Sequence, residues 1–342
     1  MKKSLFNCFF VPDLAIDMTS GNIMIYQQGS QTDNSIRVNE PAVVIADESD
    51  CCVAVGQNAL KLKGVYPDEV SFVEIIRGGS IAHPEFCEQF IRNYINEIYK
   101  NERWWKFSPD VLAVIPQSAT QTHQKIITET LDAAGAKSID LITSLIAASR
   151  GIPEHTDPTK ASVIAHIGRD YTEIGIIALN KIHYYATEPV GYDDFIKSIC
   201  NYIRVNTDYT IGEVHAEKLL GEIGTAYYNE ETDDNQYREV SVMLKRTSVP
   251  EVIRITKRQI FEALSPVTER IMSVLLDVLE NTKEDMAADL QEHGIFIVGN
   301  GGKVSGIDLA IGTIGIKTRV AENFMTSIVD GAGKIQRELN SI

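Results

Sequence analysis

Residues 13–26 read Asp13-Leu14-Ala15-Ile16-Asp17-Met18-Thr19-Ser20-Gly21-Asn22-Ile23-Met24-Ile25-Tyr26. Leu14, Ile16 and Met18 alternate with less apolar neighbours, and residues 23–26 then run apolar, so the stretch predicts strand, tight turn, strand. A turn carrying Gly29, Asp33 and Asn34 leads on to β-rich residues 36–38 and 42–46. Phe86, Phe90, Ile91, Tyr94, Ile95 and Ile98 share one helical face over 86–99. Residues 111–115, stopped by Pro116, predict a buried strand. Residues 124–134 predict a helix ending at Gly135, and residues 141–149 a second one ending at Gly151 and Pro153.

At Ala161 the order begins again. Residues 163–168 predict a strand, a tight turn follows, and 172–179 and 183–186 are further strands. Helical patterns cover 193–206 and 214–223, the second started by Thr210 or Glu213. Residues 229–235 read as an acidic polar loop. A long amphipathic helix spans 260–280, interrupted early at Pro266. Residues 294–298 are a short buried strand running into Gly299-Asn300-Gly301-Gly302. The two halves share an order, a weak internal repeat divided near 153–159, where Pro, His, Asp and Thr cluster. Two α/β domains that each open with a β-hairpin imply a cleft between them, where small ligands bind.

The 342 residues suffice for about two domains. Lys plus Arg is 32 against 47 Asp plus Glu, a net charge of −15, which disfavours nucleic acid as a partner. Cys8, Cys51, Cys52, Cys87 and Cys200 show no CxxC spacing, and the histidines form no HExxH pair, so neither a zinc site nor a disulfide framework is expected and a reducing cytoplasm fits. No apolar run approaches the roughly 20 residues that span a bilayer. At the N-terminus, Lys2 and Lys3 precede Leu5, Phe6, Phe9 and Phe10. Leu5–Phe9 and Phe6–Phe10 are i,i+4 pairs, the pattern of an interfacial membrane anchor over 1–12. A segment that packs on its own domain is the alternative.

Residues 13–26 together with Val38-Asn39-Glu40-Pro41-Ala42-Val43-Val44 resemble the opening of MreB, the bacterial actin-like cell-shape family. The likeness continues through Val114-Ile115-Pro116, Ala134-Gly135-Ala136, Gly151-Ile152-Pro153, Asn201-Tyr202-Ile203-Arg204 and Glu222-Ile223-Gly224-Thr225-Ala226-Tyr227. It closes with Gly331-Ala332-Gly333-Lys334, which is not a P-loop because Ile335 sits where Ser or Thr would bind magnesium. The resemblance implies the two-domain α/β fold of the actin, chaperone-ATPase and sugar-kinase superfamily with a central interdomain cleft. Domain I would cover 13–155, with a smaller subdomain at 35–75, and domain II 156–342.

The resemblance also implies ATP or ADP with magnesium, cradled by two hairpin turns. The first turn, with Asp17, Ser20, Gly21 and Asn22, keeps the family's Asp and Asn, but Thr19 replaces a glycine and Ile23 a threonine. A β-branched Thr19 resists positive φ, at about 1–2 kcal/mol if the glycine used it; Gly21 offers a way to reshape the turn. In the second, His166-Ile167-Gly168-Arg169-Asp170-Tyr171-Thr172, only Gly168 and Thr172 match. His166 replaces the aspartate associated with metal and water, Asp170 sets a carboxylate against phosphate, and Arg169 offers a guanidinium in compensation. The family's glutamates fall at Thr143 and Ser144, which cannot act as a general base, and Asp140 has no assured route to the water. On the adenosine side, Glu217, Lys218, Gly299, Asn300, Gly301 and Gly302 match better.

The pattern predicts an actin-like filament subunit with a vestigial nucleotide site and little or no ATP hydrolysis. The resemblance implies head-to-tail assembly with itself, protofilaments paired antiparallel, and attachment to the inner face of the cytoplasmic membrane. The family's second membrane contact, an apolar loop, falls at Ile81-Ala82-His83-Pro84-Glu85-Phe86 and is more polar than expected. Three alternatives stay open: an active ATPase in which Arg169 and His166 do the phosphate work, a non-polymerising adaptor, and an accessory subunit that co-assembles with another MreB copy.

Overall fold

The computed structural model describes residues 13–19, 21–28, 35–49, 51–62, 70–100, 108–155, 157 and 159–339. The proposed anchor residues Lys2, Lys3, Leu5, Phe6, Phe9 and Phe10, and Ser20 of the first turn, lie outside them. The chain forms two compact units, one from the described residues within Met1–Gly151 and Thr326–Ile342, the other from Ile152–Met325.

The first unit opens with β1 (Leu14–Asp17), β2 (Asn22–Gln27) and β3 (Ser35–Pro41), paired antiparallel in sequence. A smaller sheet follows from β4 (Val43–Asp47), β5 (Cys52–Val55) and β6 (Val70–Glu74), with α1 (Gly56–Leu62) between the last two. The short pair β7 (Ile76–Arg77) and β8 (Ser80–Ile81) precedes α2 (Pro84–Tyr99), whose first residue is a proline that needs no N–H partner there. Phe86, Phe90, Ile91 and Ile95 turn into the core from α2. Phe86 is therefore not a loop residue available to a membrane.

β9 (Asp110–Ile115) pairs parallel with β1. α3 (Gln121–Ala134) is capped by Thr120, which accepts from His123 N–H, and ends at Gly135 with φ 111°, a left-handed cap suited to glycine. β10 (Ser138–Thr143) then pairs parallel with β9, giving the order β10-β9-β1-β2-β3. Residues 141–143 were expected to be helical; sheet pairing with Ala113–Ile115 overrides their local pattern, and the helix α4 (Ser144–Gly151) starts only at Ser144.

The second unit repeats the plan. β11 (Ser162–Ile167), β12 (Thr172–Ala178) and β13 (Lys181–Glu188) form an antiparallel set in which β11 and β12 are buried throughout and β13 alternates between exposed and half-buried positions. α5 (Tyr192–Asn206), the short β14 (Tyr209–Thr210) and α6 (Glu213–Ile223) follow. The acidic stretch expected as loop holds one helical turn, α7 (Glu230–Asp233): Asn229 Oδ1 accepts from Glu231 N–H, and Asp233 accepts from Lys257 Nζ at 2.7 Å. A hairpin of β15 (Tyr237–Leu244) and β16 (Pro250–Thr256) leads into α8 (Lys257–Glu280), opened by a Thr256–Gln259 capping box.

The interruption expected at Pro266 does not occur, because Pro266 is on the exposed face, where water can hydrate the Glu262 carbonyl that loses its donor. α9 (Glu284–His293), β17 (Ile295–Val298), a 3₁₀ turn (Asn300–Lys303), α10 (Ile307–Gly312) and β18 (Thr318–Val320) complete the sheet order β13-β12-β11-β17-β18.

The last helix, α11 (Ser327–Leu339), returns to the first unit, where it packs on α4, β1 and β9. The expected second domain, 156–342, ran past this point. The Gly331-Ala332-Gly333-Lys334 segment explains the return. A methyl at Gly331 would overlap the Ala147 carbonyl, one at Gly151 the Ser327 carbonyl, so α4 and α11 meet backbone to backbone. Lys334 Nζ then donates to the Arg150 carbonyl at 3.1 Å, and Gln336 Nε2 to the Leu14 carbonyl at 2.9 Å.

Candidate functional site

In each unit the expected turn residues gather at one end of the sheet. Register pairs Asp17 with Val114 and Val114 with Ile142, so the β1–β2 turn, the end of β9 and the Thr143–Ser144 junction share the carboxyl edge of the parallel strands. In the second unit His166 pairs with Val298, which sets the β11–β12 turn beside Gly299–Lys303. Carboxyl edges of parallel strands are where α/β proteins place ligands.

The first turn is organised by Asp17, which is fully buried. Its Oδ1 accepts from Thr19 N–H at 2.8 Å and from Thr19 Oγ1 at 2.6 Å. Thr19 does not take the positive φ that it would resist: the described non-glycine residues with positive φ are Leu179, Asn180 and Ser248, and here Gly21 carries φ 85°. The hydroxyl that replaces a glycine thus fastens the aspartate instead of straining the turn. Asn22 Nδ2 donates to Asn39 Oδ1 at 2.7 Å. Thr143 is half-buried at the end of β10 and Ser144 fully buried at the start of α4.

The second turn is closed on itself. Gly168 N–H donates to the Tyr171 carbonyl at 2.8 Å, and Tyr192 and Asp193 N–H, at the start of α5, donate to the Gly168 and Arg169 carbonyls at 3.0 and 2.8 Å. Gly191 lies so close that a methyl there would be 2.6 Å from Asp170 N. Arg169 Nε donates to Asp193 Oδ2 at 2.9 Å. Burial raises the Asp193 carboxyl above its ordinary range, and Arg169 opposes that shift.

His166 is fully buried, and its Nδ1 shares a hydrogen bond with Oε1 of Glu173, 3.3 Å away and equally buried. The Tyr171 ring meets the imidazole edge-on at 5.5 Å. Among the described residues Nε2 has no hydrogen-bond partner, and it lies under the turns: a methyl at Gly299 would be 3.0 Å from it and one at Gly168 3.6 Å. The fit to magnesium fails here, since the ion takes oxygen ligands and this position offers an enclosed ring nitrogen.

The adenosine side fits a nucleotide better. Gly299 (φ 82°) begins the turn, and side chains on Gly301 and Gly302 would collide with Ile167 and Phe324, which keeps this backbone bare. Asn300 is buried, and among the described residues its Oδ1 has no hydrogen-bond partner. Glu217 and Lys218 are exposed on α6, and Lys218 pairs with Glu222 at 3.9 Å. Two residues not anticipated from sequence join them. Lys303 Nζ is 5.4 Å from the centre of the Tyr192 ring, and burial, with Glu217 and Asp193 nearby, pushes the Tyr192 hydroxyl up to about 12. Asp193 and Glu173 were also missed. Glu173 was findable, because a hairpin turning at 168–171 sets residue 173 opposite 166.

A family profile described as MreB/Mbl protein matches residues 11–342. The chain belongs to the MreB/Mbl family. The Escherichia coli K12 cell shape-determining protein MreB is 31% identical over 337 residues, covering 96% of this chain and 94% of that protein. The Bacillus subtilis cell shape-determining protein Mbl is 27% identical over 328 residues, with 95% of each chain covered. Among solved structures, the ADP-bound MreB5 of Spiroplasma citri superposes with TM-score 0.87 at 20% identity, covering 96% of this chain and 97% of that one. The MamK double helical filament superposes with TM-score 0.74 at 11% identity, covering 95% and 98%. This MreB/Mbl chain therefore has the actin-like fold, and no helix among its described residues is long and apolar enough to cross a membrane.

Proposed function

We propose that this chain is an actin-like cytoskeletal subunit that assembles head to tail with copies of itself, takes part in cell shape, and does so with little or no ATP hydrolysis. The buried His166–Glu173 pair carries the reading: it fills the position of the family's metal-associated aspartate with a ring that cannot reach an ion. Thr143 and Ser144 support it, since neither side chain can serve as the carboxylate base. Within the second unit, any nucleotide retained would lie against Gly168, Arg169, Asp170, Glu217, Lys218 and Gly299–Gly302; within the first, Asp17, Gly21 and Asn22 are the residues that the resemblance assigns to phosphate. Head-to-tail contacts are heterologous and do not close, so they extend into filaments. Attachment to the inner face of the cytoplasmic membrane is proposed through Lys2, Lys3, Leu5, Phe6, Phe9 and Phe10, with weak single contacts multiplied along the polymer.

The test is pelleting of nucleotide-stripped protein with and without ATP and magnesium, with polymers checked by negative-stain microscopy and phosphate release followed in parallel. Equal polymer in both conditions is expected. Polymer only with ATP, or phosphate release that tracks assembly, refutes the uncoupled reading, and no polymer in either refutes the filament. Deleting residues 2–10 is expected to abolish co-sedimentation with anionic liposomes; unchanged co-sedimentation removes the membrane contact.

A further inference from the structure

Among the described residues, the large apolar side chains that are more than two-thirds exposed are Val205, Val214 and Val252, and all of them belong to one part of the second unit, the small sheet β14-β15-β16 and the helix ends beside it. Val240, Val242 and Ile255 turn one face of that sheet into the core. Side chains alternate along a strand, and Ser241 pairs with Val252 and Met243 with Pro250, so these four stand on the opposite face. Met243 and Val249 are each about half exposed. The helix ends join them. His215, in the first turn of α6, lines a cleft with Ser241, and Lys245 Nζ donates to the Arg204 and Thr207 carbonyls at the end of α5.

Exposed apolar surface gathered in one place marks a contact, and the charges around it say with what. Arg204, Lys245 and Arg246 stand at the hairpin tip against Asp208 and Glu251, a positive excess in a chain whose net charge is −15. Both carboxylates would oppose an anionic bilayer, and Glu251 is held in place, accepting from the Tyr209 hydroxyl at 2.8 Å. A second copy of this chain offers predominantly acidic protein surface instead. We propose that the β15–β16 tip and the outer face behind it form the docking surface for a second copy, which meets it through a different, acidic part of its own surface. The inference rests on the self-assembly reading above and gives one side of the contact a location. A contact between unlike surfaces is heterologous, so each subunit keeps its other end free, as an open filament requires.

The experiment compares pelleting of the full chain with that of two variants. Arg246→Glu reverses a charge at the exposed turn. Met243→Ser with Val252→Thr removes apolar surface and leaves a β-branched residue on β16. Each is expected to raise the critical concentration for polymer about tenfold or more, with the urea midpoint unchanged. Because each variant keeps the surface that docks onto a neighbour, a minor fraction of either is expected to cap filaments of the unaltered chain and lower their yield. Variants that pellet at the unaltered critical concentration, or that leave the unaltered filaments unaffected in mixtures, overturn the proposal. So does a loss of co-sedimentation with anionic liposomes without loss of polymer, which would assign the face to lipid. Those outcomes leave the filament reading standing, whereas an unaltered chain that forms no polymer and sediments as a monomer at every concentration overturns both.

Discussion

His166 and Glu173 face each other across the β11–β12 hairpin, Nδ1 to Oε1 at 3.3 Å, with both side chains fully buried. A buried carboxyl group is tolerated when its polar atoms share hydrogen bonds, and the imidazole is one of its partners. The position where the family resemblance places a metal-associated aspartate has thus become part of the hairpin's internal hydrogen bonding.

That pairing opposes a simple reversion. His166→Asp would set two carboxyl groups together at fully buried positions, and breaking a buried pair in this way costs about 3–5 kcal/mol. The urea midpoint of His166→Asp is expected to fall accordingly, and His166→Asp with Glu173→Gln to recover much of the loss. A reversion that folds as stably as the unaltered chain would mean the pair is not closed as described.

Asp289 gives the second unit an acid-sensitive tie. It accepts from Ala161 N–H at 3.1 Å and from Lys160 Nζ at 3.1 Å, and these bonds hold its carboxyl below the ordinary range. A carboxylate depressed in the folded state stabilises above its unfolded pKa, and the contribution disappears as pH falls through the lower, folded value. Stability measured by urea titration should therefore drop as pH descends below about 4, and Asp289→Asn should flatten that part of the profile. An identical profile in the variant would assign the acid sensitivity to other groups.

Much of this architecture was readable from the sequence, and the failures share a cause. Residues 163–167 and 111–115 announce themselves as strands because they are buried on both faces, and Gly135 marks its helix end through a positive φ. Residues 141–143 misled because their pairing partners lie in β9, nearly thirty residues earlier. Pro266 misled because burial, which sequence does not print, decides whether a helix can carry a proline. In the second turn the residue types showed that metal handling had changed. Where Arg169 would turn was hidden, since its partner Asp193 is 24 residues on.

The junction of α4 and α11 offers a direct packing test. A methyl at Gly331 would overlap the Ala147 carbonyl and approach Gly151 N, both backbone atoms with no rotamer to yield. Overpacking of this kind costs about 1–3 kcal/mol. Gly331→Ala is expected at the upper end of that range, read as a lowered urea midpoint, whereas Gly221→Ala, on an exposed face of α6 with open space around it, should be neutral or slightly stabilising. Equal behaviour of the two variants would argue against the close helix contact.

Restoring the missing carboxylate tests whether hydrolysis was lost at one position or several. Thr143 is half-buried at the carboxyl end of β10, so Thr143→Glu can be accommodated more readily than a glutamate at the fully buried Ser144. A general base contributes about 10²–10⁴-fold only when the reacting phosphate and its counter-charge are already in place. With His166 locked to Glu173 and Arg169 held by Asp193, they are not. Phosphate release from Thr143→Glu is therefore expected to stay at the level of the unaltered chain, at saturating ATP with magnesium. A rise of about tenfold or more would show that the base alone was missing and that the altered second turn still positions phosphate.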